Sequence, residues 1–297
     1  MRTLVAVDLS PASNAALRDA ALRQPKGEPL AVCHVIPNVG AIRPLFPHLA
    51  SAENAELSGL AARAEEAVRR NVEEITGLTP PAYDLFVDEG IDYAEIVRRA
   101  EEWKADRVVV GASGAGGLAR LLGTVAERVV RYAPCAVLCV RSREPASSSG
   151  AVIAATDLSA PSVPAIAEAA REAKLRGAPL VVAHALDFGN ATVASVAFAP
   201  LVTTSLVPAS AIETAKNLAR DTIAAHLEAL GAQGEVVVLD GPAASAIARL
   251  AEERAAGLVV VATRGRTGFA RLALGSVAER IVHGAPCDVL AVRLERG

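Results

Sequence analysis

The sequence predicts two tandem α/β domains, each built on a doubly wound, mainly parallel sheet of five strands. The first observation is an internal repeat, since TVAERVVRYAPCAVLCVR (124–141) and SVAERIVHGAPCDVLAVR (276–293) are identical at 12 of 18 positions. The second is that short apolar runs alternate with helical periodicity in each copy, a pattern typical of βαβ crossovers. The third is the length of 297 residues, which is enough for two ordinary domains.

A linker separates the two copies. Their first strands also match, with VAVDLSPAS at Val5–Ser13 and IAATDLSAPS at Ile153–Ser162. The segment RSREPASSSG, Arg141–Gly150, is polar and rich in small residues, which favours an exposed connection. We therefore predict a first domain at residues 1–143 and a second at residues 149–297.

Strands and helices can be predicted individually in the second copy. A helical pattern begins near Ser162 and stops at Gly177, because glycine commonly terminates a helix. The apolar runs predict five strands, at Ala151–Thr156, Leu180–Leu186, Glu235–Leu239, Leu258–Ala262 and Val289–Val292.

Composition excludes several classes of protein. With 52% hydrophobic and 21% charged residues the chain is globular and not disordered. The net charge is −3, and no Lys/Arg cluster is interleaved with aromatic residues, so a nucleic-acid partner is not expected. No apolar run approaches the roughly 18 residues that span a bilayer, and the start TLVAVDLS lacks the regions of a signal peptide. We expect a cytoplasmic protein without a membrane partner.

The cysteines agree with a reducing compartment. Cys135 and Cys139 share a strand face, and Cys287 in the other copy is the one residue that joins them in a conceivable metal site. We interpret these three and Cys33 as small buried hydrophobic residues, in preference to metal ligands or disulfides.

Two loops of each copy are candidates for ligand binding. In doubly wound folds ligands lie beyond the carboxyl ends of strands where the strand order reverses, here after the first and fourth strands. The first strand ends in Asp-Leu-Ser in both copies, at Asp8 and Asp157. A carboxylate there can accept hydrogen bonds from ribose hydroxyls, or it can help to cap the next helix. His34 and His184 occupy matching strand positions and are interpreted as structural.

The loop after the fourth strand of the second copy has a phosphate-binding pattern. It reads Ala262, two residues, Gly265, nine residues, Gly275, Ser276. Glycines let backbone N–H groups point at an anion, and a helix beginning near Ser276 adds unpaired N–H groups and a positive dipole end. Arg264 can offset phosphate charge. The alternative is a capped helix after a mobile loop.

The matching loop of the first copy is one residue shorter. Only eight residues separate Gly114 from Gly123 there. We expect the deletion, next to Leu122, to misplace the N–H groups of Gly123 and Thr124, so that no triphosphate binds the first copy. Gly114 to Ala119 fits the dinucleotide pattern G-x-G-x-x-A, but it follows the fourth strand and the other copy lacks it; no Walker A lysine is present either.

These residues resemble the universal stress protein family. The resemblance rests on Asp157, on Ala183-His184 and on Gly265-x9-Gly275-Ser276, and it covers nearly the whole chain. The family's nucleotide motif is Gly, two residues, Gly, nine residues, Gly and Ser or Thr; Ala262 replaces the first Gly. The resemblance implies a Rossmann-like fold of the adenine nucleotide alpha hydrolase type that binds ATP, alone or with Mg²⁺. It also implies pairing of the domains through the fifth strands, AVLCVR and DVLAVR, and a homodimer is a further possible partner arrangement.

The resemblance also assigns residues to ATP. Asp157 would contact the ribose and the backbone of Ala185 the adenine. The phosphates would be held by Arg264, Gly265, Gly275, Ser276 and Val277. Thr156, Val261 and Ala262 complete the predicted set in the second domain. The weaker set in the first domain is Asp8, Gly111, Gly114, Gly123 and Thr124.

Three functions follow from these predictions. The leading hypothesis is an ATP-binding stress or regulatory protein with little or no catalysis, because no general base or carboxylate pair accompanies the phosphate donors. The second is a nucleotide-free interaction protein, favoured by Ala262 and the short first loop. The third is a slow ATP hydrolase. The apolar segments Val39–Ser51 and Gly189–Ser210 are interpreted as covering a site or packing on a partner subunit.

Overall fold

A computed structural model describes residues 1–37, 59–112, 122–141, 150–187, 208–263 and 274–293. The chain divides into two compact units, Met1–Glu144 and Pro145–Gly297. Val39–Ser51 lies outside the described residues, as does all of Gly189–Ser210 except its last three residues. In the part of the chain that is described, no helix has both the length and the apolar character needed to cross a bilayer.

In its described part, the first unit alternates strands and helices along the chain. The strands are β1 Thr3–Val7, β2 Leu30–Pro37, β3 Asp84–Gly90, β4 Arg107–Gly111 and β5 Ala136–Val140. The helices are α1 Pro11–Arg23, α2 Leu60–Thr76, α3 Asp92–Glu102 and α4 Thr124–Tyr132.

The sheet of the first unit reverses its strand order at β1. The strands lie in the order β3-β2-β1-β4-β5, and every neighbouring pair is parallel. The chain therefore runs outward from β1 through β2 to β3 and then returns to the other side of β1 with β4. The carboxyl ends of β1 and β4 flank the crevice in which doubly wound folds bind ligands.

The second unit repeats this sequence of elements. Its strands are β6 Val152–Ala155, β7 Leu180–Leu186, β8 Glu235–Asp240, β9 Leu258–Ala262 and β10 Asp288–Val292. Its described helices are α5 Val163–Arg176, α6 Ala209–Ala229, α7 Ala243–Glu253 and α8 Ser276–Gly284. The observed strands differ from the predicted ones by two residues at most.

The second sheet has the same order, β8-β7-β6-β9-β10, and is again parallel throughout. The central strands are buried on both faces, as in Leu258, Val259 and Val260, whose exposed fractions are 0%. Such near-continuous apolar runs are what a parallel sheet covered by helices requires. The fold class is therefore the predicted one, with five parallel strands in the described part of each unit.

Helix α5 ends at a glycine, as the sequence pattern predicts. Gly177 adopts the left-handed conformation, with φ of 60°, and its N–H donates to the carbonyls of Ala173 and Lys174. Only glycine takes this conformation without a steric penalty, so the helix stops at the predicted residue.

Candidate functional site

The second unit has a cavity of about 280 Å³ at the carboxyl ends of β6, β7 and β9. It gathers eight of the residues predicted from the sequence: Thr156, Asp157, Ala185, Val261, Ala262, Gly275, Ser276 and Val277. The two other predicted residues, Arg264 and Gly265, lie outside the described residues. Residues far apart in the sequence therefore share one cavity wall.

Sequence reasoning did not assign seven other lining residues to this site. They are Ala155, Ser162, Ala183, His184, Ala243, Ile247 and Ala278. Ala243 and Ile247 belong to α7, which follows the third strand of the unit, and no motif marks them. Their one signal in the sequence is the helical spacing of four residues, which puts both on the same helix face.

Asp157 is held by a tight turn directly after β6. One carboxylate oxygen accepts hydrogen bonds from the Ser159 N–H at 3.1 Å and from the Ser159 hydroxyl at 2.5 Å. Leu158, between them, has a φ of 65°, which is uncommon for a branched side chain and typical of such turns at functional sites. The N-cap residue of α5 is Ser162, with no side-chain capping bond. Asp157 therefore stabilises the loop and does not cap α5.

A buried network fixes the end of β6. Ser162 Oγ donates to the Ser159 carbonyl at 2.8 Å, so the Thr156 hydroxyl, 2.7 Å away, is the donor to Ser162. His184 Nδ1 lies 2.8 Å from the Thr156 carbonyl and donates to it. His184 is only 8% exposed, so this bond is shielded from water. The ring thus fixes the backbone next to Asp157, in agreement with its structural interpretation.

The amino end of α8 presents backbone donors to the cavity. Gly275 N–H donates to the Thr263 carbonyl at 2.9 Å, and this glycine is an N-cap without a side-chain capping bond. The first intrahelical bond joins Glu279 N–H to the Gly275 carbonyl at 2.8 Å. The N–H groups of Ser276, Val277 and Ala278 precede that bond and have no acceptor within the helix. All three residues line the cavity. Helix amino ends of this kind attract anions, phosphate groups in particular.

The first unit has a cavity of about 590 Å³ at the corresponding place. Four of the five residues predicted there line it: Asp8, Gly111, Gly123 and Thr124. Gly114 lies outside the described residues. Sequence reasoning missed Cys33, Asp92 and Ile96 among the other lining residues, which come from β2 and α3.

The expected displacement of the α4 start is not found. Gly123 N–H donates to the Ala112 carbonyl at 2.6 Å, and Glu127 N–H donates to the Gly123 carbonyl at 3.0 Å. These bonds match those of Gly275 and Glu279 in the second unit. The expectation that the shorter loop misplaces Gly123 and Thr124 is therefore wrong, because the helix is anchored to the strand end by Ala112 and not by the loop length.

Asp8 is also held by a turn, but its partners differ. Its carboxylate accepts the Ser10 N–H at 3.0 Å, and its own N–H donates to Ser13 Oγ at 3.3 Å. Partial burial opposes ionisation, but the hydrogen bonds from Ser10 and Ser13 outweigh it and lower the pKa of Asp8. Ser10 itself caps α1 by accepting the Ser13 N–H at 3.2 Å, a role for which serine is preferred.

Gly111 and Ala262 end the fourth strands of the two units and differ for a steric reason. A Cβ on Gly111 would lie 2.7 Å from the Ala12 carbonyl carbon, closer than real atoms approach. Neither residue has a positive φ. The glycine is therefore required by the close approach of α1. In the second unit a short 3₁₀ turn, Ala160–Ser162, precedes α5 where the first unit begins its α-helix at Pro11.

Comparison with known proteins assigns these two units to one class. The model of the universal stress protein family matches residues 1–141 and 150–293. The chain belongs to the universal stress protein family, with two tandem domains of that type.

Relatives support the assignment. A universal stress protein of Mycolicibacterium smegmatis is 31% identical over 297 residues, which cover 98% of this chain and 96% of the relative. One of Mycobacterium tuberculosis is 32% identical over 200 residues, or 64% of this chain. That match spans 62% of the relative's own length, less than two thirds.

Solved structures agree on the fold. A universal stress protein of Archaeoglobus fulgidus superposes with a TM-score of 0.66 at 20% identity, covering 98% of both chains. Another solved member is a universal stress protein in complex with cAMP, similar over 49% of this chain at 24% identity and a TM-score of 0.37. The cAMP complex describes that protein and does not assign a ligand to this chain.

Proposed function

We propose that this protein binds ATP, alone or with Mg²⁺, in the cavity of its second domain, and acts as a stress or regulatory protein with little or no catalysis. The observation that carries the proposal is the convergence of eight predicted residues on one cavity, with the open amino end of α8 among them. A carboxylate, small apolar walls and unpaired N–H donors match the ribose, the base and the phosphates of a nucleotide.

The nucleotide would run along the carboxyl edge of the sheet. The base would lie near the backbone of Ala185, against the small side chains of Ala183 and Ala243. Asp157 would accept from the ribose hydroxyls, and the N–H groups of Ser276 and Val277 would donate to the phosphates. Arg264 and Gly265 are proposed phosphate contacts from the sequence motif.

Little catalysis is proposed because the titratable lining residues have structural roles. His184 Nδ1 donates to the Thr156 carbonyl, and an oxygen of Asp157 accepts two bonds from Ser159. These bonds hold the turn after β6, whereas a general base also has to lie within hydrogen-bond reach of an attacking water. A slow ATP hydrolase is the weaker candidate, and ADP release during prolonged incubation would reveal it.

The first test is ligand retention. The full chain, purified under native conditions and then denatured, is expected to release adenine nucleotide detectable by mass spectrometry. Titration calorimetry with ATP on nucleotide-stripped protein should give one site per chain. A chain that neither releases nor binds ATP would favour the nucleotide-free interaction protein, for which Ala262 at the first motif position is the supporting observation.

We also propose how the chain is divided into domains, how the domains pair, and where in the cell the protein lies. We place the domain boundaries at residues 1–143 and 149–297. Arg141, the first residue of the expected linker, is buried with 9% exposed, so we propose that limited proteolysis cuts first after it, within residues 142–149. The fifth strands, Ala136–Val140 and Asp288–Val292, are proposed to pair the domains, and a homodimer is tested by light scattering. A cytoplasmic location is supported by the four cysteines, which carry thiols and form no disulfide among the described residues.

A further inference from the structure

The two cavities are lined by corresponding residues, about half of which differ in their side chains. Asp8, Ile96 and Thr124 of the first match Asp157, Ile247 and Ser276 of the second in chemical type and in place. Both backbones hold the helix start in the same way, so the helix start does not distinguish the cavities. Among the described residues, the distinction comes from lining residues that differ.

The largest chemical difference is at the first residue of the helix after the third strand. Asp92 begins α3 and Ala243 begins α7; both helices have 11 residues, and both first residues line their cavities. Ile96 and Ile247, four residues further on, line the same walls. Asp92 and Ala243 are therefore equivalent positions, one occupied by a carboxylate and the other by a methyl group.

Asp92 brings an exposed carboxylate to this position. Its carboxylate accepts the Tyr93 N–H at 2.6 Å, at a helix amino end, where negative charge is favoured. The first cavity therefore contains two carboxylates, Asp8 and Asp92, and its described lining residues include no Lys, Arg or His. The described lining of the second cavity contains only one carboxylate, that of Asp157.

We propose that Asp92 is a specificity-determining residue that excludes adenine nucleotides from the first cavity, and that Ala243 is what admits them to the second. This inference rests on the proposed function. A triphosphate brings further negative charge into a cavity whose wall is already anionic, and an apolar base packed against Asp92 would strip water from its carboxylate. Against Ala243 the base meets an uncharged methyl group.

The test compares two side chains of equal size at position 243 of the full chain, one charged and one neutral. Ala243→Asp is compared with Ala243→Asn by calorimetric titration with ATP and, separately, with adenosine. We expect Ala243→Asp to bind ATP about tenfold more weakly than Ala243→Asn, which has the same size without the charge. The gap should be smaller for adenosine, and smaller at 1 M than at 0.1 M salt, since the screening length falls from about 10 Å to about 3 Å.

The outcomes separate the two proposals. If Ala243→Asp and Ala243→Asn bind ATP equally while the unaltered chain binds it, the inference is wrong and the proposed function stands. If the unaltered chain does not bind ATP, both fall together.

A reciprocal experiment uses the first cavity. In a chain whose second site is silenced by Asp157→Ala, Asp92→Asn is expected to raise the residual ATP affinity about tenfold, with circular dichroism confirming that α3 is retained. Asparagine keeps an acceptor for the Tyr93 N–H. If Asp92→Asn changes nothing and an alanine inserted after Leu121 restores binding with Asp92 in place, loop length is the deciding variable and the inference is overturned.

Discussion

The two units of this chain have cavities at the same place in the fold, but the cavities are lined by different side chains. Both lie beyond the carboxyl ends of the first, second and fourth strands of their units, and both receive the amino end of the last helix. Yet the first has Asp92 where the second has Ala243, and Gly111 where the second has Ala262. Backbone topology therefore places the crevice, while the side chains that line it differ between the two units.

The turns after β1 and β6 show the same relation. In the first unit Ser13 bonds the backbone of Asp8, whereas in the second Ser162 bonds the hydroxyl of Thr156. Both serine hydroxyls donate to the carbonyl three residues earlier, of Ser10 and of Ser159. The donor to the serine oxygen changes, because the residue before the aspartate is Val7 in one copy and Thr156 in the other. A repeated motif thus keeps part of its hydrogen-bond network and changes the rest.

The largest expected effect concerns the two aspartates. At 100 times its dissociation constant ATP stabilises the protein by about 2.7 kcal/mol, and a shift of roughly 2–4 °C per kcal/mol predicts a melting temperature higher by about 5–10 °C. Asp157→Ala should abolish most of this shift, because the ribose acceptor is lost. Asp8→Ala is the matched control and should leave the shift intact. A shift that survives Asp157→Ala and disappears in Asp8→Ala would mean that ATP binds the first cavity.

The next effect concerns the ends of β4 and β9. Gly111→Ala should lower the free energy of unfolding by about 1–3 kcal/mol, because the added Cβ has no room beside the backbone of Ala12. Ala262→Gly, the reverse change in the other unit, should cost only about 0.5–1 kcal/mol from backbone entropy. Urea denaturation monitored by circular dichroism measures both. Equal costs would show that the crowding at Gly111 is relieved by a shift of α1.

A smaller effect distinguishes the helix starts. Ser276→Ala removes one hydroxyl donor from the proposed phosphate site, a loss of about 0.5–1.5 kcal/mol and hence about 2- to 13-fold in ATP affinity. Thr124→Ala, at the corresponding place in the first unit, should not change the ATP titration. A reduced affinity in Thr124→Ala with Ser276→Ala unaffected would reverse the assignment of the site.

The smallest effect is on the acid stability of the first unit. A carboxylate with a lowered native pKa contributes stability above its unfolded pKa, and that contribution is lost as the pH falls through its native pKa. Ser13→Ala should therefore raise the pKa of Asp8 toward its ordinary value and cost about 0.5–1.5 kcal/mol at neutral pH, and less in acid. NMR titration of the Asp8 carboxyl carbon gives the pKa. Ser162→Ala is the control, and a pKa of Asp8 that Ser13→Ala leaves unchanged would show that Ser13 does not contribute to lowering it.

Much of the fold could be predicted because its signals are local. The strand Leu258–Ala262 is a run of β-branched and apolar residues, and the helix before Gly177 ends where glycine permits the left-handed conformation. The convergence of Asp157 and Ser276 could also be predicted, since the carboxyl ends of parallel strands meet at one edge of the sheet. Each of these inferences depends on neighbours in sequence or on a topological rule.

Other features of the site could not be predicted, because they depend on atoms brought together from distant segments. The anchoring of Gly123 by the Ala112 carbonyl made the expected displacement of α4 wrong. The need for glycine at position 111 arises from the approach of α1, not from a turn. Asp92 carries no motif, and it enters the first cavity only because α3 packs beside β2.

The sequence by itself determined the repeat, the two α/β domains, the family and the strand ends at which Asp8 and Asp157 lie, because periodicity and glycine positions specify local conformation. The tertiary structure alone decided which side chains share a cavity wall. Packing of α3 and α7 against their sheets puts Asp92 in one cavity and Ala243 in the other, and charge acts through space at distances that sequence separation does not encode.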